Sequence, residues 1–254
     1  MLLSFNSLGG LRKVVLVLLV AAYALLWVGG VGQHLFRGLS RKENGWMASL
    51  FLLLAGLIVL VGTRAIGELP SLLWIAAFGF VIEVIGVRTG LPFGAYSYSR
   101  VLQPQVFGVP VVMAFAWMVL IVSIKQTLQA ADFPRWVELS LAAIWVTAID
   151  LIIDPLAANL LGYWHWRIAG NYYGIPAINF AGWFVTSLAI FATIKKRWRP
   201  NPWSMWIGFS IVLFFTLIAF SQRLFLVALI GAILAMFQIL LSRMYGGRGW
   251  APPH

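Results

Sequence analysis

Apolar stretches of nearly uniform length recur along the whole chain. A helix needs about 20 mostly apolar residues to cross a hydrocarbon core about 30 Å thick. We place eight such spans, at about residues 14–34, 46–62, 70–87, 108–127, 137–160, 177–194, 203–220 and 224–241. Only three residues, 221–223, separate the last two, so seven spans is the alternative if these form one irregular helical stretch. The pattern predicts an all-α, polytopic transmembrane helix bundle with residues 1–254 as a single domain.

The composition agrees with a chain whose surface faces lipid. Hydrophobic residues make up 62% of the sequence and charged residues only 10%, whereas soluble proteins average about 25% charged residues. The first apolar run, Val14 to Val31, has no small-residue cleavage pattern, so we interpret it as a retained span and not as a signal peptide. The absence of cysteine excludes disulfides, thiolate catalysis and Cys-ligated metals.

The net charge of +11 comes from 18 basic and 7 acidic residues. Because the basic residues lie between the apolar runs, we interpret them as headgroup anchors and topology signals, and we expect no nucleic-acid partner. The N-terminal side of the membrane receives eleven of them: Arg12, Lys13, Arg64, Lys125, Arg135, Lys195, Lys196, Arg197, Arg199, Arg243 and Arg248. The opposite side receives the other seven. This excess predicts that both termini are cytoplasmic. We expect the membrane to be a bacterial cytoplasmic membrane.

Two connecting segments, Arg88 to Phe107 and Leu161 to Pro176, are long and rich in Gly, Pro and aromatic residues. Two spans separate them, so both must emerge on the same side of the membrane. Their motifs also match in order: Tyr96-Ser97-Tyr98, Gly108-Val109-Pro110 and Trp117 in the first, and Trp164-His165-Trp166, Gly174-Ile175-Pro176 and Trp183 in the second. We infer a parallel internal repeat of two helical hairpins, related by an axis along the membrane normal.

Three of the seven acidic residues lie within a predicted span and away from its terminal residues. Glu43, Glu68, Asp132 and Glu138 lie in loops or at span ends, where solvent is expected to reach them. In contrast, Glu83, Asp150 and Asp154 lie near the span ends that lead into the two aromatic segments, so they should converge at one membrane level. Asp150 and Asp154 are four residues apart and therefore project from one helical face.

An acid within the membrane costs several kcal/mol unless it is paired or protonated, which makes it a functional-site hypothesis. The alternative is that these acids pair with Arg88, Arg100 or Arg167 and only hold helices together. An acid that keeps its proton in such a place could act as a general acid.

Aromatic residues surround the same acids along the sequence: Trp145, Trp164, Trp166, Trp183, Tyr96, Tyr98, Tyr172 and Tyr173. Aromatic faces stabilise a cation by about 2 kcal/mol or more where water is excluded. The alternative is an interfacial aromatic belt, which Trp and Tyr commonly form. A proton donor beside rings that tolerate a cation suits chemistry through a carbocation.

Four stretches resemble the CruF-type carotenoid 1',2'-hydratase family over about residues 70–190, the expected catalytic core. They are residues 83–98 (Glu-Val-Ile-Gly-Val-Arg-Thr-Gly-Leu-Pro-Phe-Gly-Ala-Tyr-Ser-Tyr), 150–155 (Asp-Leu-Ile-Ile-Asp-Pro), 162–166 (Gly-Tyr-Trp-His-Trp) and 172–183 (Tyr-Tyr-Gly-Ile-Pro-Ala-Ile-Asn-Phe-Ala-Gly-Trp). The resemblance implies a hydro-lyase that adds water to the terminal C1'=C2' double bond of an acyclic ψ-end carotenoid. The substrate would be of the lycopene, γ-carotene or C50 type, and the product a tertiary alcohol.

On this resemblance we expect Asp150 or Asp154 to donate the proton, and Glu83 or the other aspartate to orient or deprotonate water. The aromatic side chains would shield the cation. Asn179, Thr89 and His165 are candidates to hold the water, although they could equally bond backbone groups freed at the loops. We expect no metal. We also expect no redox cofactor, since the proposed reaction needs none and the chain lacks a G-x-G-x-x-G fingerprint following a strand. The expected partners are a lipophilic carotenoid and the bilayer, with other carotenoid enzymes as candidates.

Three other classes share some of these features. A membrane prenyltransferase has an Asp-x-x-x-Asp motif like Asp150 to Asp154 but needs a second acidic cluster, and Glu83 stands alone. A membrane lycopene cyclase also protonates a polyene end, but it closes a ring instead of capturing water. A small transporter could use the repeat and the intramembrane acids, although the short chain and one-sided aromatic segments argue against it.

Overall fold

The computed structural model describes residues 9–36, 45–63, 66–194 and 197–245. Eight α-helices make up most of this part of the chain: α1 (Gly10–Phe36), α2 (Gly45–Gly62), α3 (Leu69–Thr89), α4 (Val112–Leu128), α5 (Arg135–Asn159), α6 (Ala177–Thr193), α7 (Pro202–Ser221) and α8 (Phe225–Tyr245). The predicted all-α bundle is confirmed. A short turn separates α7 from α8, so these two are distinct helices and not one irregular stretch.

The helices have the length and surface of an integral membrane protein. Within the described ranges, α1, α2, α3, α5, α7 and α8 are long and apolar enough to cross a membrane, whereas α4 and α6 are shorter apolar helices of 17 residues each. Large apolar side chains such as Leu18 and Val28 are 64% exposed. Such side chains would face lipid. Glu43, Arg64, Lys195, Lys196 and Arg248 lie outside the described residues, and the cytoplasmic placement of the termini stays a prediction.

Two helical hairpins, α3–α4 and α5–α6, form the part of the bundle that leads into the long connecting segments. Helix α4 is central, and every residue from Trp117 to Leu128 is buried. A helix with apolar residues on all sides is expected to be buried among other helices. Helix α7 packs against α1, α2, α4, α5 and α8, so it holds the two hairpins and the terminal helices together.

The two aromatic segments pair with each other as short strands. Strand β1 (Tyr96–Tyr98) pairs antiparallel with β4 (Trp164–Trp166), with Ser97 opposite His165. Because side chains alternate along a strand, the four rings of Tyr96, Tyr98, Trp164 and Trp166 share one face, while Ser97 and His165 are exposed. A second small hairpin, β2 (Gln105–Val106) with β3 (Val109–Pro110), lies just before α4 and replaces the first turn predicted for that span.

In this register, a two-fold axis between Ser97 and His165 would relate β1 to β4. Trp117 and Trp183, which hold equivalent places in the two sequence motifs, stack with ring centroids 4.1 Å apart at 14°. Both contacts support the inferred internal repeat, which stays an inference.

The buried face of α3 explains how Glu83 comes to point inward. Leu72, Ile75, Gly79, Glu83 and Gly86 are all buried, and their spacing of three or four residues places them on one face. A Cβ at position 79 would collide with the Trp117 side chain, and one at position 86 would lie 2.9 Å from the Tyr96 hydroxyl. Glycine at these two positions therefore lets Trp117 and Tyr96 approach the carboxyl group of Glu83.

Helix α5 contains a proline directly after Asp154. Pro155 has no N–H and cannot bond the carbonyl of Leu151, four residues earlier. The hydroxyl of Tyr172 donates to that carbonyl at 3.0 Å. The second aromatic segment thus satisfies the backbone group that the proline leaves free, as a polar group within a membrane requires.

The opposite ends of α4 and α5 are joined by a buried ion pair. Lys125 pairs with Glu138, which Arg135 also contacts at 3.3 Å. Glu138 is only 4% exposed, so the expectation that solvent reaches it is wrong. Placed in the first turn of α5, it faces the neighbouring α4 because Lys125 provides a buried cation. In contrast, Asp132 pairs with Arg197 at the surface, with 2.7 Å between the charged atoms.

Candidate active site

Glu83 accepts hydrogen bonds from three neutral donors. The indole N–H of Trp117 donates to its Oε1 at 2.9 Å, and the hydroxyl of Tyr98 donates to Oε2 at 2.8 Å. The hydroxyl of Tyr96 donates to the same Oε2. These donors come from α4 and from β1, so the carboxyl group ties the first aromatic segment to the helical hairpin.

Burial, followed by the charge of Glu83, raises the pKa of Tyr96 and Tyr98 above the usual phenol value. Both hydroxyls therefore keep their protons at neutral pH and remain donors to Glu83.

Asp150 and Asp154 share one amide donor. The Nδ2 of Asn179 donates to Asp150 Oδ2 at 2.7 Å and to Asp154 Oδ2 at 2.6 Å. The two aspartates are therefore on one face of α5, as their spacing predicts. Asn179 lies in the first turn of α6 and is 1% exposed, so the α5–α6 hairpin positions this amide between the two carboxyl groups.

The predicted alternative of pairing with arginine does not occur among the described residues. Arg88 lies 5.2 Å from the ring centroid of Phe107, and Arg100 and Arg167 are exposed. The ion pairs of the described chain involve other acids, Glu138 and Asp132. The intramembrane acids are instead held by neutral donors.

Glu83 and Asp154 line the same small cavity, of about 20 Å³. A cavity of about 10–15 Å³ suffices for one water molecule. The amide of Asn179 also lines it, and its remaining wall is mostly aromatic, with Tyr96, Tyr98, Trp164, Trp166 and Trp183 among the predicted residues. The buried Nε1 of Trp166 has no hydrogen-bond partner among the described residues. We call this space the water-sized cavity.

A second and much larger space, of about 860 Å³, adjoins the first. We call it the apolar chamber. It lies between α1, α2, α4, α5 and α7, and Asp150 is the acid in its wall. Met113, Trp164 and Trp183 line both spaces. The chamber that contains Asp150 and the cavity that contains Glu83 and Asp154 therefore meet at these three side chains.

Three aromatic residues predicted for the site line neither space. Trp145 packs against Phe237, with ring centroids 5.1 Å apart, because five residues turn a helix by about 140° away from Asp150. Tyr172 bonds the backbone of Leu151, and Tyr173 contacts the edge of Tyr172 at 4.9 Å.

The two remaining water-holding candidates occupy different places. The hydroxyl of Thr89 donates to the carbonyl of Ile85 at 2.8 Å within its own helix. His165 is exposed and lies at the rim of the apolar chamber.

Sequence reasoning missed three residues around the water-sized cavity. Trp117 donates to Glu83, while Phe93 and Met113 line the water-sized cavity. Trp117 could have been found from its place in the repeat, since it stands seven residues after Pro110 as Trp183 does after Pro176. Phe93 and Met113 are ordinary apolar residues, and no feature of the sequence separates them from others.

The fold and the site together define an integral membrane protein in which buried acids adjoin an apolar chamber. The chain belongs to the carotenoid biosynthesis protein family, whose model matches residues 45–242. A relative named bisanhydrobacterioruberin hydratase, from Haloarcula japonica, is 29% identical over 171 residues. That match covers 60% of this chain and 55% of the relative, so the chain spans about half the length of that protein. No solved structure matches the chain.

Proposed function

We propose that this protein is a carotenoid hydratase that adds water to the terminal C1'=C2' double bond of an acyclic ψ-end carotenoid. The observation that carries the proposal is the pair of adjoining spaces. Asp150 lies in the wall of an apolar chamber, while Glu83 and Asp154 line a cavity that can hold one water molecule. Hydration needs a proton donor near one carbon of a double bond and a water molecule near the other, and this arrangement can supply both.

Asp150 is the proton donor in this mechanism. It is buried and lines the chamber, and among the described residues the amide of Asn179 donates a hydrogen bond to its Oδ2. Proton transfer from its carboxyl group to the less substituted alkene carbon forms a C–H bond and leaves a tertiary cation. The rings of Trp164 and Trp183, which line both spaces, stabilise that cation through their faces.

Water reaches the cation from the water-sized cavity. Its oxygen bonds to the tertiary carbon, and one of its protons passes to Glu83 or Asp154. The proton returns to Asp150 by way of Asp154, which shares the Asn179 amide with it. In the overall reaction, one alkene and one water molecule give one tertiary alcohol. Each carboxyl group returns to its starting protonation state.

The activity named for the archaeal relative supports the same reaction class, since that protein is called a bisanhydrobacterioruberin hydratase. Cyclisation of the same polyene end would also begin with a proton from an acid. A ring-closing site gains nothing from a water-sized polar cavity beside the cation, however, because captured water would end the reaction before the ring forms. The cavity between Glu83 and Asp154 therefore favours hydration.

The test is the pigment profile of a lycopene-producing host that expresses this chain. We expect a product heavier than lycopene by the mass of one or two water molecules and carrying a tertiary hydroxyl group. A product with the mass of lycopene but a cyclised end would contradict the proposal in favour of a cyclase. Unchanged lycopene, together with unchanged γ-carotene and C50 substrates in hosts that produce them, would contradict it altogether.

Replacement of the acids tests their roles in the same host. We expect Asp150→Asn, Asp154→Asn and Glu83→Gln each to lower product formation by about hundredfold or more, as removal of a general acid or base does. Asp132→Asn is the matched control, because Asp132 is an acid in a surface ion pair outside the two spaces. Full activity in all three site variants would overturn the assignment.

A further inference from the structure

The apolar chamber has an open side beside α1, a helix that is long and apolar enough to cross a membrane. Leu25, near the middle of α1, lines the chamber although its side chain is 75% exposed. Gly29, one turn further along the same helix, is likewise exposed and also lines the chamber. Helix α1 packs mainly against α2 and α7. The chamber therefore reaches the outer surface of the bundle beside α1, where the surroundings are lipid.

This side differs in chemistry from the end of the chamber near the connecting segments. Close to Leu25 and Gly29 the wall is built of apolar side chains, including Phe214 and Phe215 of α7. At the other end it includes the polar residues Gln33, Asn159 and His165. An apolar molecule that enters beside Leu25 and Gly29 stays in apolar surroundings. One that enters at the other end of the chamber would pass polar groups.

The geometry points to a lateral entrance beside Leu25 and Gly29, through which one end of an acyclic carotenoid passes from the bilayer to Asp150. The remainder of the polyene stays among the lipid tails during the reaction. This inference rests on the proposed function for the identity of its ligand. A path through water would expose apolar carbons at a cost in free energy, and a lateral path avoids that cost.

Two glycines of α1 provide a matched pair for the test. A Cβ added at Gly29 or at Gly32 meets no heavy atom within 4 Å, so neither substitution is blocked by the fold. Only Gly29 lines the chamber. Replacement of a helical glycine by leucine favours the helix at both positions, but only Gly29→Leu introduces a side chain into the entrance.

The experiment purifies wild type, Gly29→Leu and Gly32→Leu from a lycopene-producing host. It measures two quantities: the lycopene retained per protein, by visible absorbance, and the hydrated product, by mass. We expect Gly29→Leu to lower both by about tenfold, equivalent to about 1.4 kcal/mol, because its side chain would occupy the entrance. Gly32→Leu should match wild type, and thermal unfolding in detergent should confirm that both variants are folded.

The lateral entrance is overturned if Gly29→Leu retains as much lycopene as wild type, or if Gly32→Leu loses as much as Gly29→Leu. Failure of the proposed function has a different signature. In that case wild type retains lycopene that Gly29→Leu does not, yet no protein yields a hydrated product.

Discussion

Glu83 illustrates how this protein keeps an acid in the membrane without a cation. Its carboxyl group receives hydrogen bonds from Trp117, Tyr96 and Tyr98, and not one of these donors carries a charge. A guanidinium or ammonium group would stabilise the acid as well, but it would also repel a carbocation formed nearby. Neutral donors stabilise the acid without repelling the cation. They therefore suit the chemistry that we propose.

Loss of one of these donors should weaken the site without unfolding it. Trp117→Phe removes the N–H that donates to Glu83 and keeps an aromatic ring against Trp183. We expect product formation to fall by about tenfold or more, because a hydrogen bond to a charged group contributes about 1.5–3 kcal/mol and the proposed role of Glu83 as proton acceptor requires its charged form. The measurement is hydrated product per protein in the lycopene-producing host.

Trp136→Phe is the control for this variant, since Trp136 is 73% exposed and lines neither space. Equal activity in Trp117→Phe and Trp136→Phe would mean that the Trp117 hydrogen bond has no part in the reaction.

The sequence predicts the acids of the site better than their partners. Glu83, Asp150 and Asp154 can be found because carboxyl groups are rare within apolar spans. Asn179 was only one of several polar candidates, and its position between the two aspartates depends on how α6 packs against α5. Trp145 lies close to Asp150 in sequence but on another face of α5, so proximity along the chain was a poor guide there.

At the scale of elements, the two aromatic segments act together as one sheet. Their aromatic-x-aromatic patterns predict rings on one side, but not that the two segments would pair with each other. Strands of three residues leave little trace in a sequence, and the β1–β4 pairing joins segments about 70 residues apart. What the sequence does predict is that both emerge on the same side of the membrane, which the pairing requires.

Breaking this sheet should disturb both sets of acids. Proline at position 97 cannot donate to the β1–β4 ladder, and Tyr96 and Tyr98, which donate to Glu83, flank that position. We therefore expect Ser97→Pro to abolish most product formation, measured as hydrated carotenoid in the host. Ser97→Thr, which suits a strand, should retain activity. Comparable activity in the two variants would show that the strand pairing does not position the site.

At the scale of the whole molecule, the bundle is held differently at its two ends. The end with the site relies on neutral hydrogen bonds and stacked rings, whereas the opposite end has the buried pair of Lys125 and Glu138. The sequence predicted the number of helices and their approximate bounds, because apolar run length carries that information. It did not predict the buried pair, since both residues stand near span ends, where solvation is the ordinary outcome.

Removal of one member of this pair should destabilise the protein more than removal of both. Lys125→Met leaves Glu138 buried with only the partly exposed Arg135, and we expect a loss of about 3–5 kcal/mol in the free energy of unfolding. The double variant Lys125→Met with Glu138→Met should recover much of this loss. Denaturant unfolding in detergent, followed by tryptophan fluorescence, is the measurement. A double variant less stable than Lys125→Met would contradict this expectation.

Helices α4 and α6, with 17 residues each, are about 26 Å long at 1.5 Å per residue. A typical hydrocarbon core is about 30 Å thick. Both helices begin directly after the aromatic segments, so the paired strands are expected to lie below the headgroups, where backbone outside a helix must be covered by protein. In such a membrane the carotenoid would already lie at the depth of the site and would need only to move laterally. The water molecule would instead have to enter the hydrocarbon region.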